Sequence, residues 1–140
     1  QRVRRFQPVA RQNPLYRPFR EMLKEVYQRY ERPLFIAETG AEDRRRAGWL
    51  RYVCTEAQRA MSEGVPLQGI CLYPILNHPG WQDDRHCHNA LWDYPDQHGN
   101  REIYQPLARE LRHWHRILEN SNPVNAGGAP DQTDHAATIA

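Results

Sequence analysis

Residues 32–40 read Arg32-Pro33-Leu34-Phe35-Ile36-Ala37-Glu38-Thr39-Gly40, a short apolar run that stops on a carboxylate and then a glycine. Four consecutive apolar residues after a proline, closed by a turn signal, predict a strand over 33–37 buried on both faces, because a half-exposed strand alternates polar and apolar side chains. Glu38 then stands at the strand's carboxyl end. Open α/β sheets and α/β barrels place their chemistry there, since the loops leaving those strand ends enclose the pocket.

The flanking segments supply what such a strand needs. Pro14 and Pro18 suit a helix entry, and Phe19, Met22, Leu23, Val26, Tyr27 and Tyr30 then form one apolar stripe of a 3.6-residue period. Pro33 prevents that helix from continuing. After the strand, Gly40 permits a sharp departure, and Glu42-Asp43 put negative charge near the start of a second helix, where the macrodipole favours it. This helix is expected to run to about Glu63, with Trp49 or Leu50, Val53, Cys54, Ala57, Ala60 and Met61 inward. Arg44, Arg45, Arg51 and Arg59 face outward, the Arg44-Arg45-Arg46 run reading as a solvated surface. Gly64 ends it, and Pro66 leads into a second apolar strand at 67–73. Strand, helix and strand at this spacing make a βαβ unit with parallel strands. From Pro74 to Asn100 the composition turns to Asn, His, Asp, Trp, Gly and Pro without periodicity, a long loop whose aromatic content speaks against disorder. Ile103, Leu107, Leu111, Trp114 and Leu118 mark a last helix, and disorder is expected from about 122. The organisation is therefore an irregular lead-in over 1–13, an α/β body over 14–120 and a tail over 121–140.

At 140 residues the chain is too short for a complete α/β barrel, which needs about 250. It begins at Gln1, so it reads as the C-terminal part of a longer protein or a piece cut from one. The net charge of +2 is nearly balanced and the basic residues are scattered, which gives no nucleic-acid footprint. Cys54, Cys71 and Cys87 form no C-x-x-C pair and do not suggest a disulfide framework. No apolar run approaches the roughly 18 residues of a membrane-spanning helix. A soluble chain is expected, with a cytoplasmic location favoured and a lost signal peptide left open.

Pro33 to Gly40 resembles the seventh strand of the large clan of retaining glycoside hydrolases built on a TIM barrel, the β-glucosidase type among them. The resemblance extends over about 34–94. It implies that the body is the C-terminal portion of a (β/α)8 TIM barrel, strands seven and eight with flanking helices, with the rest of the barrel as its cover. It implies Glu38 as the nucleophile of a double displacement on a carbohydrate substrate, with an acid/base glutamate at the end of strand four, outside this chain. The fragment alone should be inert, and no cofactor is required. Tyr73 to Trp81 corresponds to the loop after strand eight, which commonly brings an aromatic residue under the sugar. Trp81 is the candidate platform, while Tyr73-Pro74 holds the place where relatives often have a tryptophan. Asn89 to Tyr94 resembles the segment that packs beneath that loop, with Trp92 and Tyr94 as core.

Asn77, His78, Asp83, Asp84, Arg85, His86 and His88 are the polar residues expected to face the pocket, with Tyr73 and Trp81 beside them. His86-Cys87-His88 with two nearby aspartates invites a metal reading, but in an extended segment the two imidazoles point opposite to the thiol, and no second ligand pair follows at a familiar spacing. No metal is expected. Each residue also has a plainer reading: Glu38 could cap the next helix or pair with an arginine, and Trp81 could be loop packing. The rival functions are a non-catalytic carbohydrate-binding or degenerate barrel module, and another barrel hydrolase or lyase that uses Glu38 as a base.

Overall fold

The computed structural model describes residues 9–121; the expected disorder from 122 lies outside them. Helix α1 spans Phe19–Tyr30, strand β1 Leu34–Thr39, helix α2 Arg45–Ser62 and strand β2 Leu67–Leu72. The two strands are parallel and adjacent, with Leu34 opposite Leu67, Phe35 opposite Gly69 and Ile36 opposite Ile70. This is the βαβ unit expected from the pattern. Helix α1 ends where Glu31 turns left-handed at φ 50° and returns its N–H to the Tyr27 carbonyl, and Pro33 then starts the extended stretch.

Two apolar clusters meet at α2. Leu23, Ile36, Val53, Ala57, Ala60, Val65 and Leu67 join α1, α2 and the strands. Leu50 and Cys54, on the adjoining stripe of α2, pack with Leu107 and Trp114 of helix α3, Gln105–Ser121, against Ile70 and Leu72. Small residues at 57 and 60 let α2 approach the sheet closely.

Three expectations are corrected. The first strand is not buried on both faces: α1 and α2 cover only one, and Phe35 on the other is 59% exposed. Its ring lies over Gly69, where an added Cβ would come within 2.7 Å of it. The segment 74–100 is not wholly irregular, because strand β3, Trp92–Pro95, pairs antiparallel with β4, Arg101–Ile103. The turn between them is built on Asp96, whose carboxylate accepts from the N–H groups of His98 and Asn100 while Gly99 takes φ 82°. Finally, Arg46 is not on a solvated surface. It is buried, its Nη1 donating to the Ala90 carbonyl at 2.7 Å and its guanidinium stacked 3.6 Å from the Tyr104 ring centroid. Among the described residues no helix is long and apolar enough to cross a membrane.

Candidate active site

In a regular strand side chains alternate, so Glu38 would follow Leu34 and Ile36 onto the helix-covered face. It does not. The β1–β2 register slips between Ile36 and Thr39, and the irregularity turns Thr39 inward instead. Thr39 is buried and its hydroxyl accepts from the Trp49 indole N–H at 2.8 Å. Glu38 is left exposed at the strand end, and its carboxylate makes no hydrogen bond or ion pair among the described residues. The neighbouring strand ends alongside it: Tyr73 N–H donates to the Thr39 carbonyl at 3.0 Å. The chains pass so closely that a Cβ on Gly40 would sit 2.2 Å from the Tyr73 carbonyl oxygen.

Between the two strand ends and the following loop lies an open cavity of about 380 Å³, bordered by Glu38, Glu42, Tyr73, His78, Trp81 and Asn89 among others. Four residues from the sequence expectation are thus gathered there: Glu38, Tyr73, His78 and Trp81. The Trp81 ring is 85% exposed, a large apolar face offered to whatever enters. Asn77 does not line the cavity. It is buried, its Oδ1 accepting from the N–H groups of Asn89 and Ala90 at 3.0 and 2.8 Å, and its Nδ2 donating to Asp93 at 2.7 Å. It fixes the loop rather than facing the opening. Asp83, Asp84, Arg85 and His86 are exposed outside the lining. Asp83 accepts from the Arg85 N–H at 3.3 Å, Asp84 takes φ 47°, and His86 stacks on Tyr94 at 4.6 Å between centroids. His88 meets Asp93 at 3.2 Å. Among the described residues no three His, Cys, Asp or Glu side chains are placed to hold a metal ion.

The loop is tied back to the β1–α2 junction at three points. Arg85 binds both oxygens of Glu42, at 3.2 and 2.9 Å. Asp43 N–H donates to the His88 carbonyl at 2.8 Å, and Arg46 holds Ala90 as described. The Arg85 guanidinium keeps the Glu42 carboxyl below its ordinary range, so Glu42 is a paired anion rather than a proton donor. Burial pushes Asp93 upward, but hydrogen bonds from Tyr94 N–H, Asn77 and His88 outweigh it and leave its carboxyl depressed. Burial raises the Cys87 thiol.

Two side-chain atoms beside the cavity remain unmatched. His78 Nε2 and Asn89 Oδ1 are buried with no hydrogen-bond partner among the described residues, a state that costs about 1–3 kcal/mol per group unless a ligand or water completes it. Glu42 and Asn89 line the cavity and Arg46 fastens its loop, and the sequence pattern singles out none of the three for the pocket. Glu42 was legible only as helix-start charge, and no local signal marks Asn89 or separates Arg46 from Arg44 and Arg45.

No family model matches the chain, and no curated protein does. Solved structures do. A family 1 β-glucosidase from Thermotoga maritima aligns over 74% of this chain and 25% of its own, at 20% identity and a TM-score of 0.59. The β-glycosidase of Thermosphaera aggregans aligns over 81% and 22%, at 22% identity and 0.59. A hyperthermophilic β-glucosidase mutant aligns over 66% and 21%, at 21% identity and 0.59. The Thermotoga protein has also been solved with glucoimidazole and with deoxynojirimycin. At these identities the likeness establishes the fold, that of a segment of the TIM-barrel β-glucosidases. The chain spans about a quarter of the length of the structures it matches.

Proposed function

We propose that this chain is the C-terminal two βα units of a TIM-barrel glycoside hydrolase, and that Glu38 is the nucleophile of a retaining double displacement on a β-linked or related glycoside. The observation that carries the reading is the Glu38 carboxylate, unpaired among the described residues, at the carboxyl end of β1, brought out by the strand irregularity to border a cavity with Trp81 and Tyr73. A carboxylate with both oxygens free is available to attack an anomeric carbon. An aromatic face suits the C–H face of a sugar ring.

A retaining site needs a second carboxyl, protonated and about 5–5.5 Å from the first. Glu42 borders the same cavity but is held ionised by Arg85, so it does not serve as the acid. The acid/base glutamate is therefore assigned to the part of the protein beyond this chain, together with most sugar contacts. In the double displacement Glu38 forms the glycosyl ester as the leaving oxygen takes a proton from that acid, which then deprotonates the water that cleaves the ester. The rival reading is a module that holds sugar without cleaving it, in which Glu38 only accepts hydrogen bonds from hydroxyls.

Labelling separates them. The whole protein that carries this chain, incubated with a 2-deoxy-2-fluoro glycoside bearing a good leaving group and mapped by mass spectrometry, is expected to carry the fluorosugar on Glu38. No adduct across a panel of sugars, with Glu38→Gln leaving any hydrolysis unchanged, sinks the nucleophile assignment.

A further inference from the structure

The Glu38 carboxylate has no hydrogen bond or ion pair among the described residues, so its direction is set by the main chain that carries it. That main chain departs from a regular strand. Ile36 stands opposite Ile70 and Thr39 opposite Leu72, so β1 takes three steps where β2 takes two. The extra residue leaves Ala37 and Glu38 exposed in succession and turns Thr39 in. The strand ladder is disrupted at such a point, and the register there has to be held by other bonds.

Thr39 is fastened twice. Its carbonyl accepts from Tyr73 N–H at 3.0 Å, beside the end of β2. Its hydroxyl, on a buried residue, accepts from the Trp49 indole N–H at 2.8 Å. An indole nitrogen only donates. It reaches the strand from α2, and one turn earlier Arg46 fixes that helix to the Ala90 carbonyl and the Tyr104 ring. Under strict alternation Thr39 would point away from the helices and the indole would lose this acceptor. The bond therefore belongs to the register that turns Glu38 out.

We infer that Trp49 is a positioning residue for Glu38: through the Thr39 hydroxyl it holds the extra residue of β1 in place and so fixes the direction from which the carboxylate meets a sugar. The inference rests on the reading of Glu38 as the nucleophile and adds to it a residue that acts only through the strand.

The test uses the whole protein that carries this chain and a 2-deoxy-2-fluoro glycoside, with the labelling rate at saturation separated from the reagent's binding constant. Trp49→Phe keeps an aromatic ring and deletes the donor; Thr39→Val keeps the branched shape and deletes the acceptor. Each is expected to slow labelling of Glu38 by about 10- to 100-fold, with binding changed by less than about threefold. The double variant should lose no more than about threefold beyond either single one, since both delete the same bond. Thr39→Ser keeps the hydroxyl and is expected to recover most of the labelling rate, which a general loosening of the fold would not reproduce. Single-variant losses under about 10-fold overturn the inference, as do losses that multiply in the double variant, a loss confined to binding, or a Thr39→Ser loss as large as that of Thr39→Val. Should the wild type carry no adduct on Glu38, it is the nucleophile reading that fails, and amide exchange then decides the inference separately. The Tyr73 N–H, bonded to the Thr39 carbonyl, should exchange about 10-fold faster or more in Trp49→Phe and Thr39→Val but not in Thr39→Ser; equal exchange in all of them overturns it.

Discussion

At Glu38 identity and geometry carry separate information. The apolar run and the Gly after it were enough to mark the carboxylate as one at a strand's carboxyl end, but strict alternation from Leu34 and Ile36 would have sent it under the helices. Only the irregularity that buries Thr39 sends it outward. Because its carboxylate is exposed and has no partner among the described residues, Glu38→Gln should remove hydrolysis by the whole protein while changing its unfolding free energy by no more than about 0.5 kcal/mol, read by a rate assay beside a urea titration. Glu42 differs. Its folded pKa is depressed by Arg85, so the pair contributes fully above the pH where free glutamate titrates, about 4.3, and is lost as the pH falls through the lower folded value. Half-exposed as the pair is, its worth is at most about 1 kcal/mol. Urea midpoints at pH 7 and pH 3 should show it: Glu42→Gln is expected to lower the first and leave the second almost unmoved.

Among the elements, the long periodic ones were legible and the short ones were not. Both strands, α2 and α3 announced themselves through apolar spacing, stop signals and prolines. The β3–β4 ribbon did not, because two short strands that rest on a few pairings, Trp92 with Ile103 and Pro95 with Arg101, leave almost no alternation to detect. The joints between elements were equally silent. Three successive arginines have the same sequence signature, yet Arg46 alone crosses to Ala90 and Tyr104. Its removal deletes charge-assisted hydrogen bonds and a buried cation–π contact, so Arg46→Ala should destabilise the chain by about 3 kcal/mol. Arg44→Ala, on an exposed side chain, should stay within about 0.5 kcal/mol. Gly40→Ala is expected to act differently. With a backbone oxygen 2.2 Å from the new Cβ, the two strand ends must part, and the loss should appear in fluorosugar labelling of Glu38 as well as in stability.

Across the whole molecule, helices cover one side of the β1–β2 pair and nothing among the described residues covers the other. Phe35 is open there, and Leu15, Met22 and Trp49 border a groove of about 890 Å³ beside α1. Two strands with one bare apolar face are marginal on their own. The isolated 140-residue chain should therefore self-associate as its concentration rises, measured by light scattering after size exclusion, and a Phe35→Ser, Met22→Ser double variant should reduce that association. The bare face agrees with the length, since 140 residues fall short of the about 250 that eight strand-helix units take. A different consequence follows from where the loop is fastened. Arg85 to Glu42, His88 to Asp43, Ala90 to Arg46 and Asn77 to Asp93 all join residues between 42 and 93. The stretch carrying Glu38 and Trp81 thus brings its own fastenings wherever it is joined into a chain, which makes it a cassette. Recombination that cuts before α1, or a circular permutation opened there, would move this segment between hosts without unpicking the wall of the cavity.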